Sequence, residues 1–311
     1  MAYKLRRSRI YVPGNNPRML STCGLFEADL ITIDLEDSIA PDQKLAARWL
    51  VAEALKDLEF GRSEVTVRIN ALSTPWGKKD LEAIIPTGRV EAVYLPKAES
   101  PEDIKQLDSI LEKLERENGM ETGTTKIVPI LESAKGVWFA YDIAVSSDRV
   151  VALSFGGEDY TRDVGGERTS EGTELMWARS QVVAGAKAAG RQALDTVYSN
   201  VDDLEGLYKN TVMIKKLGFD GKAAIHPNQI PVIHEAFNPT RDEIDYALRV
   251  IEAIEDAKTK GSGVVALGRK MIDKPVVERA ERVLMIAYLT GVIKEEELHE
   301  SIRAAMVKGG A

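Results

Sequence analysis

Val150-Val151-Ala152-Leu153-Ser154-Phe155-Gly156-Gly157-Glu158-Asp159 is the stretch from which the fold is read. Apolar residues run to Phe155 without helical spacing, the pattern of a buried strand. The run then breaks at two glycines and delivers two carboxylates. An acid at the carboxyl end of a buried strand is costly unless something pairs with it. An earlier run, Ile127-Val128-Pro129-Ile130-Leu131, ends the same way, in Glu132. If the two strands are neighbours in a parallel sheet, Glu132 and Asp159 approach one another at its rim. Two facing carboxylates invite a hard divalent cation such as Mg²⁺, which takes one or two of them and keeps waters for the substrate. A structural ion pair with Lys or Arg accounts for the same acids, and the residues alone favour neither.

Outward from this stretch the chain repeats one unit. Strand patterns fall at 8–14, 30–37, 64–70, 92–97, 126–132, 150–156, 192–198 and 221–227. Helical patterns lie between them, at 17–26, 44–58, 81–85, 101–118, 133–144, 175–189 and 202–217, and a last one closes the series at 229–236. Segment 160–172, rich in Gly, Thr and charge, reads as a loop. Strict βα alternation means parallel strands joined by right-handed crossovers. Eight such units predict the α/β class and a (β/α)₈ TIM barrel, with an open doubly wound sheet as the competitor. Residues 1–237 are the expected catalytic barrel. Residues 238–311 are an expected C-terminal helical extension: a long helix at 242–258, a Gly261-Ser262-Gly263 break, a hairpin at 264–273, and helices at 276–288 and 294–307.

Composition narrows the function. The 311 residues are 44% hydrophobic and 29% charged, ordinary for a globular protein. A net charge of −8 argues against nucleic acid as the main partner. The single cysteine, Cys23, rules out an internal disulfide and fits a reducing cytoplasm. No apolar run approaches the roughly 20 residues of a membrane span, and no signal-peptide core follows the basic N-terminus. A cytoplasmic protein with no membrane partner is the expectation. Three histidines in all make a His-rich zinc site a poor candidate.

Active sites of such barrels lie at the carboxyl ends of the strands. Those ends carry Asp34, Glu36, Asp37, Arg68, Lys97, Glu132, Asp159, Asp195 and His226. The ring describes a site for an anionic, metal-chelating substrate. By residue type, Arg68 neutralises Glu36 or Asp37, and those two acids support a site rather than ligate. Asp34 reads as structural, Lys97 as a counter-charge in the barrel interior, Asp195 as part of a network, and His226 as a structural histidine. Strand alternation points Glu158 away from Asp159.

These segments resemble a known family, the citrate lyase β-subunit-like proteins of the HpcH/HpaI aldolase superfamily, kin to malyl-CoA and citramalyl-CoA lyases. The resemblance rests on Arg6-Arg7-Ser8 before Val12-Pro13-Gly14, on Asp34-Leu35-Glu36-Asp37-Ser38, and on Val67-Arg68-Ile69-Asn70. It continues through Leu95-Pro96-Lys97, Ile130-Leu131-Glu132-Ser133, Phe155-Gly156-Gly157-Glu158-Asp159, Gly221-Lys222, Ile225-His226-Pro227-Asn228-Gln229 and Met271-Ile272-Asp273. Single segments are unspecific; the ordered set is highly specific. Arg9 departs from the pattern, standing where an apolar strand residue is expected.

The resemblance implies a carbon–carbon lyase with Mg²⁺ on Glu132 and Asp159. It implies that Arg68 binds substrate oxygens, and that Asp273 is a catalytic acid/base carried by the extension into a neighbouring subunit's site, in a homotrimer or hexamer. Without the resemblance, Asp273 is a turn residue. The implied substrate is a citryl-, citramalyl- or malyl-CoA type thioester, or the same acyl group on an acyl carrier protein, cleaved to acetyl-CoA and a 2-oxo acid. The residue types agree with that chemistry: a base for the hydroxyl proton, a cation for the developing carbonyl, and a planar guanidinium for enolate charge. Two rivals stand beside it: an acyl-CoA thioesterase of the same family, and a subunit active only within a citrate lyase complex.

Overall fold

The structure is a computed structural model that describes residues 4–169, 171–259, 265–267, 270–298 and 303. Eight strands close a parallel barrel in chain order. They are β1 (Ser8–Pro13), β2 (Leu30–Asp34), β3 (Glu64–Arg68), β4 (Ala92–Leu95), β5 (Lys126–Leu131), β6 (Ala152–Phe155), β7 (Gln192–Asp195) and β8 (Gly221–Ala224). β8 pairs with β1 through Ser8 and Lys222, so the sheet has no edge. The expected TIM barrel is the observed fold, and the open sheet is excluded.

The helices between the strands are α1 (Pro17–Thr22), α2 (Lys44–Asp57), α3 (Gly77–Ile84), α4 (Pro101–Glu117), α5 (Ala134–Trp138), α6 (Ala140–Val145), α7 (Gly157–Asp163), α8 (Met176–Ala188), α9 (Leu204–Leu217) and α10 (Gln229–Phe237). α4 shows how the sequence specifies them. Ser100 and Asp103 form a reciprocal capping box around Pro101, and Ile104, Leu107, Leu111 and Leu114 make one buried stripe. α9 stops at Gly218, whose φ of 108° suits glycine alone. Inside the barrel, Ala92, Tyr94, Val128, Ile130, Ala152 and Leu194 pack together. Arg6 closes the amino end on Glu64, through two hydrogen bonds of 2.7 and 3.0 Å.

One expectation fails locally. The segment read as a loop from residue 160 begins inside α7, which starts at Gly157, directly after β6. Its Gly, Thr and charge content hid a short helix. Glu158 and Asp159 therefore sit in the first turn of a helix, about 100° apart around its axis, and not on opposite faces of a strand.

The described residues fall into two compact units, Arg6–His234 and a second that begins at Glu235 and includes Lys4 and Leu5. The second unit contains α11 (Arg241–Thr259), α12 (Lys274–Leu289), and the antiparallel strands β9 (Val265–Leu267) and β10 (Lys270–Ile272), the hairpin read from sequence. Ile244, Ala247, Val250 and Ile251 of α11 bury against Ala280, Leu284 and Ala287 of α12. The expected Gly261-Ser262-Gly263 break lies outside the described residues. Of the helix read at 294–307, Glu295–Glu297 is a 3₁₀ turn, and residues 299–302 and 304–307 lie outside the described residues. Among the described residues no helix is long and apolar enough to cross a membrane.

Candidate active site

The carboxyl ends of the strands open into a cavity of about 480 Å³, within the range of small-molecule sites. Arg68, Glu132, Asp159, Asp37 and Glu158 all line it. Asp34 and Arg68 are direct register partners on β2 and β3. They form a bidentate pair, with both bonds at 2.7 Å. The Asp34 carboxylate also accepts from the backbone N–H groups of Glu36 and Ser38, which folds the loop after β2 into a turn. Lys44 Nζ donates to the carbonyls of Leu35 and Glu36, and Asn70 Nδ2 donates to the Leu35 carbonyl. Asp34 is thus structural, as read, and it aims the guanidinium.

Glu36 is placed by that turn. Arg68 Nη1 lies 2.9 Å from Glu36 Oε2 and 3.1 Å from Asp37 Oδ2. Lys97 Nζ lies 3.3 Å from Glu36 Oε1. Glu36 is buried, whereas the Asp37 carboxylate is 60% exposed. Lys97 is a counter-charge at the exposed rim and not in the barrel interior. Its φ of 54° lies in the left-handed region, unusual for a lysine. That turn aims its backbone N–H at Glu132 Oε1, 2.7 Å away.

Glu132 comes directly after β5, where Leu131 pairs with Phe155 of β6. The next residue across is Gly156. A Cβ on Gly156 would stand 2.6 Å from Glu132 Cβ and 2.9 Å from its Oε2, so only glycine leaves the carboxylate its place. Asp159 is in the first turn of α7, ion-paired with the exposed Arg162.

The electrostatics show a surplus of acid. Burial, with the charges of Glu36 and Asp159, pushes the Glu132 carboxyl up to about 8. Burial also lifts Glu36 to about 7, with Asp37 adding to the rise against Arg68 and Lys97. Burial depresses the Arg68 guanidinium, but Tyr11 and Asp34 outweigh it and hold it well above its ordinary value. Among the described residues no group of three His, Cys, Asp or Glu forms a cage for a metal. Glu132, raised by its acidic neighbours, and Asp159 both line the cavity, and such a pair fits Mg²⁺, which asks for few protein ligands. Glu132 and Asp159 could hold it.

Two strand-end residues point elsewhere. Asp195 lies behind the sheet, where Arg179 donates to it at 2.9 and 3.1 Å and Lys222 at 2.8 Å. Burial raises that carboxyl, but Lys222 and Arg179 outweigh it and hold it below the usual range. It is a network residue, as read. His226, read as structural, is exposed, and its Nδ1 accepts from the Asn228 N–H. Asp273 belongs to the second unit, where it caps α12: its Oδ1 accepts from the Val276 N–H at 3.2 Å. The sequence reading missed Arg9, Tyr11 and Thr196, which also line the cavity. For Arg9 and Tyr11, period-two alternation along β1, with Arg9, Tyr11 and Pro13 on one face, carried the signal.

Residues 7–227 match the HpcH/HpaI aldolase/citrate lyase family. Citrate lyase subunit beta of Leuconostoc mesenteroides subsp. cremoris is 44% identical over 293 residues, covering 94% of this chain and 97% of that one. The mitochondrial citramalyl-CoA lyase of Mus musculus is 32% identical over 295 residues, covering 92% of this chain and 87% of the relative. The crystal structure of CitE from Mycobacterium tuberculosis, in complex with magnesium, acetoacetate and coenzyme A, matches with a TM-score of 0.74 at 31% identity, over 91% of this chain and 98% of that one. A family match that spans all eight strands of the barrel, with relatives aligned over nearly their whole length, means that this chain belongs to the HpcH/HpaI aldolase/citrate lyase family and is a carbon–carbon lyase.

Proposed function

We propose that the chain is a Mg²⁺-dependent lyase that cleaves a 3-hydroxyacyl thioester of the citryl, citramalyl or malyl type to an acetyl thioester and a 2-oxo acid. The observation that carries this reading is the convergence of Glu132, Asp159 and Arg68 on one cavity. Mg²⁺ bound there would supply Lewis-acid polarisation of the carbonyl that develops on the 2-oxo acid. Glu132 and Asp159 are its proposed ligands, and Glu36 and Asp37 steady Arg68. A base takes the hydroxyl proton and the Cα–Cβ bond breaks. The electron pair passes to the thioester as an enolate, which is protonated at carbon. Arg68, fixed by its bidentate grip on Asp34, is the proposed holder of substrate oxygens as that charge develops. Asp273 is the proposed acid/base. We further propose that residues 238–311 deliver it to a neighbouring subunit's site, in a homotrimer or hexamer.

A coupled assay with citryl-, citramalyl- and malyl-CoA tests the reading, run with Mg²⁺ and with EDTA beside Glu132→Ala. Metal-dependent release of a 2-oxo acid from one substrate, lost in the variant, is the expected result. Free CoA and free acid without acetyl-CoA would replace it with the thioesterase reading. A second reading has an observation of its own: the 44% identical relative is named as a subunit. On that reading the substrate is an acyl carrier protein thioester, and all three CoA thioesters stay intact until partner subunits are added.

A further inference from the structure

Two arginines near the start of the chain enter the barrel, and only one of them meets an acid. Arg6 has Glu64. Arg9 is 2% exposed, and no carboxylate among the described residues lies within ion-pair distance of it. Its Nη1 donates to Ser154 Oγ at 2.7 Å, and its guanidinium stacks 4.8 Å from the Tyr11 ring centre and 4.7 Å from that of Tyr94. Its Nε has no hydrogen-bond acceptor at normal distance, and the buried Tyr94 hydroxyl, a neutral group, faces Arg9. Cation–π stacking offsets only part of the cost of burying an unpaired cation.

Position gives this charge a purpose. Arg9 lines the same cavity as Glu132, Asp159 and Arg68. Ser154, its anchor, pairs with Ile130, and the two lie two residues before Gly156 and Glu132. Two residues of strand rise put that contact roughly 6.6 Å beneath the rim acids, about the span of a carboxymethyl arm together with the hydrogen bond its oxygen accepts. Arg68 already faces three acids, so a substrate anion reaching down the barrel meets Arg9 as its unneutralised cation.

We propose that Arg9 is a specificity-determining residue that receives a second carboxylate on the 2-oxo acid portion of the substrate, selecting dicarboxylic over monocarboxylic acids. The proposal rests on the lyase reading for the identity of that portion, and it is tested without turnover. The full-length chain with Mg²⁺ is titrated calorimetrically with oxaloacetate and with pyruvate, as wild type and as Arg9→Met. Wild type is expected to bind oxaloacetate at least about tenfold more tightly, the scale of one charge-assisted bond. Arg9→Met should weaken oxaloacetate by about 30-fold and leave pyruvate within about threefold. Equal wild-type affinities overturn the proposal even if the variant does not fold. Equal losses for both acids, or none, overturn it as well and make Arg9 a stacked structural plug. Condensation of acetyl-CoA with the same two acids separates the two readings. Preference in binding without any turnover sinks the CoA lyase and keeps Arg9; turnover with no preference does the reverse.

Discussion

Glu132 and Asp195 both end barrel strands in buried surroundings, yet they are opposites. Asp195 faces outward to two cations, with both oxygens bonded, and its carboxyl is held below the usual range. Glu132 faces inward among Glu36 and Asp159, accepts one backbone N–H, and is raised to about 8. Burial alone therefore does not mark a functional acid. What separates the two is whether the protein supplies the compensating charge. Behind the sheet it does; at the rim it leaves a deficit, which is how perturbed carboxyls cluster at sites that take a cation or substrate.

The largest test of that contrast is Glu132→Gln. It keeps the volume and one acceptor but removes the charge. Activity should fall by on the order of 10³, as for loss of one preorganised electrostatic partner. Thermal stability without Mg²⁺ should hold or rise, because a crowded acid has gone. A large drop in melting temperature would place Glu132 with Asp195 as a structural acid.

Asp195→Asn should do the converse. It leaves Lys222 and Arg179 buried without their partner's charge, and breaking such a pair costs about 3–5 kcal/mol. In a chain of this size that corresponds to roughly 5–8 °C in melting temperature. The folded fraction should keep its turnover. Loss of activity at unchanged stability would erase the distinction between the two acids.

The pH dependence should carry opposite signs. Unfolded, Glu132 gives up its proton near 4.5; folded and metal-free, it keeps it to about 8. Between those values the native state binds more protons, so raising the pH destabilises it, by on the order of a few kcal/mol. Asp195 is depressed, so its contribution is present above the ordinary value of 3.8 and is lost as the pH falls towards its native value. Metal-free protein should melt lower at pH 8 than at pH 5.5, and Glu132→Gln should flatten that slope. A rising slope in the wild type would mean that Glu132 is ionised and already compensated.

The barrel was legible because its signal repeats: eight apolar runs alternate with helical stripes, and errors at single boundaries cancel. Glu132, Asp159 and Arg68 were legible as strand ends before a break, and the structure brings all three to one cavity. What sequence missed depended on direction. Asp195 was read as a network residue, but which way it faces was hidden, because facing inward or outward turns on one residue of register. Arg9 read as a departure because a cation in a strand interior is acceptable only with Tyr11, Tyr94 and Ser154 around it, three residues from three strands. α7 was missed because a helix this short, beginning at Gly157, leaves no periodicity to count.

Lys97 gives the smallest and sharpest comparison, since it separates a side chain from a backbone. Its side chain is half exposed, and the ion pair with Glu36 at 3.3 Å is worth about 0–1 kcal/mol. Its backbone holds φ at 54° to present the N–H to Glu132. Lys97→Ala loses the pair and keeps the strained conformation. Lys97→Gly loses the same pair but relieves the strain, which is about 1 kcal/mol for a residue with a Cβ. The glycine variant should therefore be the more stable of the two by about that amount, with Mg²⁺ affinity alike in both because each retains the N–H. If alanine proves the more stable, the left-handed turn is not where the rim stores its strain.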